Sequence, residues 1–94
     1  MTDDITHEDS GSKGRYVLRR DGSEAELTYF RSSPTMIIAN HTGVPDEMRG
    51  TGPGLMLIGR LVTDAWAGGY KIMALCPFVR SKAQKHPEWA DAFV

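Results

Sequence analysis

The sequence predicts one α+β domain with a mixed sheet in a three-layer α/β arrangement, and three observations lead to that prediction. The chain has 94 residues, which is the size of a single small domain. Its first half contains short strand-like segments, one of which alternates apolar and polar residues cleanly, and its second half changes to helical spacing. The order of the elements then predicts an antiparallel meander of three strands, followed by a βαβ unit and a C-terminal helix.

The predicted meander follows a polar N-terminal segment. Residues 1–13 are rich in Asp, Ser and Gly, and we expect them to form a flexible lead-in to a domain over residues 14–94. Asp21–Gly22 predicts a tight hairpin, and "RSSP" predicts the next turn. The three strands are predicted at "RYVLRR", "AELTYF" and "TMIIANHTGV", residues 15–20, 25–30 and 35–44.

Two helices and a short strand are predicted in the second half. The first helix ends at Gly68–Gly69, and "KIMALC", residues 71–76, is too short and apolar to be anything but a strand. Pro77 suits the first position of a second helix, which we expect to run to about His86. The apolar positions that predict the first helix are Leu55, Ile58, Val62, Ala65 and Trp66.

Composition excludes several classes of protein. The formal net charge is −1, from 11 basic and 12 acidic residues, so no global field attracts nucleic acid. No apolar run approaches the roughly 20 residues that span a bilayer, and the polar N-terminus is unlike a signal peptide. The one cysteine excludes an internal disulfide. We expect a cytoplasmic protein with no metal, nucleic-acid or membrane partner.

The segment from Arg49 to Gly54, "RGTGPG", immediately precedes the first helix. It lacks the Gly-Lys-Ser/Thr of the phosphate-binding loop, and Leu55 stands where the dinucleotide fingerprint needs its third glycine. A simpler anion site is still open, because a helix N-terminus offers free amides and glycines allow close approach. The alternative is a plain strand-to-helix loop whose glycines permit tight turns.

Four motifs in order make the chain similar to a known family. They are "HTGVP" at His41–Pro45, "RGTGPG" at Arg49–Gly54, "LCPFV" at Leu75–Val79 and "HPEW" at His86–Trp89. Over residues 15–94 the chain resembles the compact, single-domain branch of the GCN5-related N-acetyltransferase superfamily. The likeness has two departures: Gly43 stands where many members have an acidic residue, and Pro53 stands where an aliphatic residue is commoner.

The resemblance implies that acetyl-CoA, or coenzyme A, binds at the glycine-rich loop. The loop would hold the pyrophosphate, and the third strand would offer backbone groups to the pantetheine arm. For Phe78 the alternative is a place in the core. Lys82 belongs either to a solvated helix face or to a contact with the 3′-phosphate of the cofactor. The cofactor-binding residues implied are Thr42, Val44, Arg49, Gly50, Thr51, Gly52, Pro53, Gly54, Phe78 and Lys82.

Cys76 and His41 are the candidate catalytic residues. Cys76 directly precedes Pro77, so it lies at or near a helix N-cap, where a thiolate is favoured. It is a candidate nucleophile or thioester contact at the site, and the alternative is a small buried apolar residue. His41 has an intrinsic pKa suited to a general base, and the alternative is a structural histidine.

The leading functional hypothesis is therefore a small acetyl-CoA-dependent N-acetyltransferase that acts on an unidentified amine. The alternative is a CoA-binding or protein-interaction module without turnover, because 94 residues leave little room for an acceptor pocket. Neither the acceptor nor the general base can be read from the sequence. We expect a monomer or a weak homodimer.

Overall fold

A mixed sheet of five strands forms the centre of the protein in a computed structural model, which describes residues 4–94. The strands lie in the order in which they occur along the chain. The first four pair antiparallel, and the last two pair parallel. Their bounds are Asp4–Asp9 (β1), Lys13–Arg20 (β2), Ser23–Ser33 (β3), Met36–Gly43 (β4) and Lys71–Ala74 (β5).

Two α-helices follow the meander. Helix α1, Pro53–Gly68, connects β4 to β5 and ends where Gly69 adopts a left-handed conformation with φ of 73°. Helix α2, Pro77–Gln84, begins on the proline that the sequence predicts for its first position. Short 3₁₀ helices at Asp46–Met48 and Pro87–Ala92 precede α1 and follow α2. This arrangement confirms the predicted α+β class, with its meander and βαβ unit.

One face of the sheet carries the core. Alternate strand residues such as Leu18, Leu27 and Ile37 are fully buried, and α1 packs against β2, β3 and β5 on this side. We call it the helix face, and we call the opposite side of the sheet the outer face. The buried side of α1 is supplied by Leu57, Ile58, Leu61, Val62 and Ala65. Trp66, which the helical spacing places with them, is instead 49% exposed.

Strand β1 corrects the prediction of a flexible lead-in. Residues 4–9 pair with β2 along the whole strand, from Asp4 opposite Arg19 to Asp9 opposite Gly14. The sequence signal is weak because β1 is an edge strand with one apolar residue, Ile5, and edge strands tolerate polar composition. The first three residues of the predicted lead-in lie outside the described residues.

Polar side chains tie β1 and α1 to the helix face of the sheet. The Tyr29 hydroxyl donates to Asp9 Oδ2 at 2.5 Å and lies 2.7 Å from His7 Nε2. The Tyr16 hydroxyl donates to Asp64 Oδ2 on α1 at 2.6 Å, and the His7 ring stacks on Tyr16 with centroids 4.2 Å apart. We call these five residues the tyrosine cluster. Burial, reinforced by the neighbouring carboxylates, raises the pKa of both tyrosines, so their hydroxyls stay protonated donors.

A β-bulge changes the alternation of β4. Tyr29 pairs with Ala39 but the preceding Thr28 pairs with His41, so Asn40 is an extra residue in β4. Ala39 lies on the helix face, and beyond the bulge Thr42 opposite Leu27 returns to that face. His41 therefore points to the outer face.

The length and hydropathy of the helices decide whether any of them can span a membrane. Within residues 4–94, no helix is both long enough and apolar enough to cross a bilayer.

Candidate functional site

The glycine loop, Arg49–Gly54, adopts a conformation that depends on its glycines. Gly50 and Gly52 have φ of 80° and 83°, in the left-handed region that favours glycine. Gly52 is the N-cap of α1 and supplies no capping side chain, and the first helical hydrogen bond runs from Met56 N to Gly52 O at 3.1 Å. The amides of the first turn before Met56 have no partner within the helix, because helix geometry gives them none.

Gly54 allows the second helix to approach the loop. A Cβ atom on Gly54 would lie 2.5 Å from Cζ of Phe78, so any side chain there would displace the ring. Phe78 belongs to the first turn of α2 and is 36% exposed. The absence of a side chain at Gly54 therefore lets an aromatic ring form one wall beside the start of α1.

A cavity of about 510 Å³ opens between the glycine loop, the end of β4 and α2. It exists because the parallel ladder of β4 and β5 ends at Ala39 and Ala74, whereas β4 continues to Gly43. The structure brings nine of the ten predicted cofactor-binding residues to its walls. They are Thr42, Val44, Arg49, Gly50, Gly52, Pro53, Gly54, Phe78 and Lys82, and Leu55 completes the lining.

Thr51 is the predicted cofactor residue that does not line the cavity. Its hydroxyl donates to Met48 O at 2.5 Å and accepts from Arg20 at 2.7 Å, so it is directed to the other side of the loop. Leu55 takes a place that the sequence reasoning did not give it, because its helical spacing predicted a core position. It is only half-buried, since the first turn of α1 faces both the core and the cavity.

Two cations stand at the edges of the cavity. Arg49 is 73% exposed, and its Nε lies 3.2 Å from Asp46 Oδ1, a contact that solvent weakens and a competing anion can replace. Lys82, on α2, lies with Nζ 5.5 Å from the Phe78 ring centroid. The cavity thus combines positive side chains, the N-terminal end of a helix dipole and an apolar wall, which suits an anionic group attached to a less polar chain.

Cys76 lies behind the cavity wall rather than on it. The residue is 7% exposed, and its Sγ lies 3.6 Å from Oγ1 of Thr42, which does line the cavity. Burial opposes ionisation of the thiol, but the amides of Val79 and Phe78 in α2 favour the thiolate. Together with Thr42 they outweigh burial, so the pKa of Cys76 lies below its ordinary value. The expectation that Cys76 lines the site is therefore corrected: Cys76 is not one of the lining residues, and its sulfur contacts Thr42, which is.

His41 lies on the opposite face of β4 from Thr42 and Cys76. Its side chain is 59% exposed, and Nε2 is 3.9 Å from Oε2 of Glu26 on the neighbouring strand. The bulge at Asn40 causes this separation, because it reverses the side to which His41 points. The structure therefore does not bring the two predicted catalytic residues together on one face.

Comparisons with known proteins agree with this geometry. A family model described as GCN5-related N-acetyl-transferase matches residues 15–92. The chain is also similar to the solution NMR structure of a GCN5-like protein from Staphylococcus aureus, which its name describes as a candidate N-acetyltransferase. That match has 28% identity and a TM-score of 0.78, and it covers 97% of this chain and 87% of the other. No curated protein matches the chain. Because the family model spans most of the sequence, the chain belongs to the GCN5-related N-acetyltransferase family.

Proposed function

We propose that this protein is an acetyl-CoA-dependent N-acetyltransferase and that its cofactor binds in the cavity beside the glycine loop. The observation that carries the proposal is the meeting of Gly50, Gly52 and Gly54 with the start of α1 and the Arg49 guanidinium around one cavity. Backbone amides at a helix N-terminus and a guanidinium are groups that bind phosphate.

The residues present fit a diphosphate with an attached chain. A side chain at Gly54 would displace the Phe78 ring, and side chains at Gly50 and Gly52 would be strained by their positive φ. The loop thus keeps its amides open to a bulky anion. Thr42 and Val44, at the end of β4, face the same cavity and offer backbone groups to a pantetheine arm.

Acetyl-CoA, when bound, supplies an activated acetyl thioester. Cys76 is the group of this chain that combines a lowered pKa with a position next to the cavity wall. We propose that its sulfur lies near the thioester. We also propose that His41 takes the proton of the amine through intervening water, because it lies on the opposite face of β4. The acceptor is an uncharged amine, because only the free base has a lone pair for attack.

The single cysteine also supports a proposed location. Cys76 is a free thiol, and the chain has no second cysteine to pair with it. A thiol that must stay reduced suits a reducing compartment, so we propose that the protein acts in the cytoplasm.

Acetyl-CoA binding is tested by calorimetric and thermal-shift titration. A ligand at 100 times its Kd stabilises a protein by about 2.7 kcal/mol, which for a domain of this size raises Tm by about 10 °C or more. Acetyl-pantetheine, which lacks the diphosphate, is the matched control ligand and should bind much more weakly. The proposal would be wrong if millimolar acetyl-CoA produced no shift in Tm.

Turnover is tested separately from binding. Incubation with acetyl-CoA followed by mass spectrometry should reveal an acetyl adduct that Cys76→Ala abolishes, if the sulfur accepts the acetyl group. A panel of amines then tests transfer. Tight acetyl-CoA binding without transfer to any amine would instead establish the alternative, a CoA-binding module, for which the separation of His41 from Cys76 is the structural argument.

A further inference from the structure

The glycine loop has a second side, which faces away from the cavity and toward the hairpin between β2 and β3. The Nη1 atom of Arg20, the last residue of β2, donates to Oγ1 of Thr51 at 2.7 Å. The same hydroxyl donates to Met48 O at 2.5 Å. Thr51 is therefore held between the sheet and the residue that precedes the loop.

Arg20 also reaches the segment that follows the loop. Its Nη2 atom lies 3.7 Å from the sulfur of Met56, in the first turn of α1. One guanidinium thus contacts Thr51 before Gly52 and Met56 after Gly54. It spans the part of the loop whose opposite side lines the cavity.

A second link joins the same hairpin to the residues before the loop. Ser23 Oγ donates to Glu47 Oε2 at 2.8 Å, and this hydrogen bond is the main reason why the pKa of Glu47 lies below its ordinary value. Ser23 opens β3, and Glu47 belongs to the 3₁₀ helix that leads into the loop. The hairpin therefore contacts the loop from β2 and the residues that lead into the loop from β3.

The contacts of Thr51 restrict the most flexible part of the loop backbone. Thr51 lies between Gly50 and Gly52, the two residues with positive φ. Glycine loses more backbone entropy than any other residue when it is ordered. A ligand that must order such a loop binds less tightly than one that meets a loop already ordered.

We propose that Arg20 is a positioning residue of the glycine loop: it holds Thr51 and the first turn of α1 so that the loop amides are arranged for phosphate before the cofactor arrives. The inference rests on the proposed function for its ligand, acetyl-CoA. It assigns to the β2–β3 hairpin, which lies outside the cavity, a direct part in cofactor affinity.

The first test compares Arg20→Ala with a matched control, Arg19→Ala. Arg19 is the adjacent residue, and its Nε donates to Glu24 at 2.7 Å, so the control removes an exposed arginine pair without touching the loop. Loss of a charge-assisted hydrogen bond should raise the Kd for acetyl-CoA about three- to tenfold in Arg20→Ala. The control should stay within about twofold of wild type in the same calorimetric titration.

The second test needs no ligand. Amide hydrogen exchange in the free protein should accelerate in Arg20→Ala at Thr51 and Met56, whose amides are hydrogen-bonded to Met48 O and Gly52 O, and remain unchanged in Arg19→Ala. Weaker cofactor binding without faster exchange would mean that Arg20 acts on the ligand itself, and the positioning role would be overturned. Equal exchange and equal affinity in the two variants would overturn it as well.

A double-mutant cycle identifies the contact responsible. Thr51→Val removes the acceptor of Arg20, so it should reproduce the faster exchange, and the double variant should add little to it. Additive effects would overturn the proposed Arg20–Thr51 link. Failure of the wild type to bind acetyl-CoA would remove the proposed function alone, because the exchange measurements decide the support of the loop independently.

Discussion

The tyrosine cluster and the glycine loop lie toward opposite ends of α1, and both are rich in hydrogen-bonding groups. In the tyrosine cluster those groups meet one another: Tyr16 donates to Asp64, and Tyr29 donates to Asp9. In the glycine loop, the amides at the start of α1 have no capping side chain and border a cavity. Groups satisfied inside the protein stabilise the fold, whereas groups left open can bind a ligand. The two ends of one helix therefore differ: the groups of one are satisfied within the fold, and those of the other are open to a ligand.

The largest effect should follow from Gly52→Val. A β-branched residue at φ of 83° is strained by about 1–3 kcal/mol, and Gly52 is one of the residues that line the cavity. We expect the Kd for acetyl-CoA to rise at least about tenfold, with a fall in the free energy of unfolding of that same order. Calorimetric titration and urea unfolding measure the two effects.

Gly11→Val provides the matched control for that substitution. Gly11 also has a positive φ, 98°, with open space where a side chain would lie, but it belongs to the turn after β1. It should lose comparable stability and keep its affinity. If both variants bound acetyl-CoA like the wild type, the cavity would not be the cofactor site.

A smaller effect, and one confined to stability, is expected for Tyr16→Phe. The change leaves the ring in place and removes the donor to Asp64, so about 1–2 kcal/mol of the free energy of unfolding should be lost. Acetyl-CoA affinity should remain within about twofold of wild type. A drop in affinity as large as that in Gly52→Val would show that the two ends of α1 are coupled.

The smallest effect concerns the acid dependence of β1. The hydrogen bond from Tyr29, followed by those from Gly11 and Arg31, lowers the pKa of Asp9 in the folded state. The ionised Asp9 therefore contributes fully to the free energy of unfolding above its unfolded pKa of about 3.9. This contribution is lost as the pH falls through the lower pKa of the folded state. At pH 7 the free energy of unfolding of the wild type should exceed that of Asp9→Asn by less than about 1 kcal/mol. Urea unfolding should show that difference shrink as the pH falls below the unfolded pKa, and a constant difference would contradict this account.

The elements with strong periodicity could be predicted from the sequence. Alternation located β3, an apolar centre located β4, the segment before the Asp21–Gly22 turn located β2, and helical spacing with Gly69 at its end located α1. β1 could not be predicted in the same way, since Ile5 is its only apolar residue and its partly buried side-chain contacts with the sheet include those of His7 and Asp9 with Tyr29. Tyr29, the partner of both residues, lies about 20 residues away in sequence, and no local pattern predicts these contacts.

In the candidate site, too, the residues of a local pattern could be predicted and those that depend on distant contacts could not. A glycine loop before a helix is a local pattern, and it identified five of the ten residues that line the cavity; the family resemblance added Thr42, Val44, Phe78 and Lys82. The side chains of Thr51, Cys76 and His41 were harder to orient, because each direction depends on a contact with another element. Thr51 bonds to Arg20, Cys76 contacts Thr42, and the extra residue in β4 turns His41 to the outer face.

The bulge at Asn40 shows that chain length, as well as residue identity, decides what each side of this protein presents. Deleting Asn40 would restore simple alternation beyond Ala39, and every later residue of β4 would change sides. The histidine would then face α2 and the threonine would face solvent, although no other residue had been replaced. Insertions and deletions in β4 are therefore a route by which relatives of this chain can exchange the chemistry on the two sides of one strand.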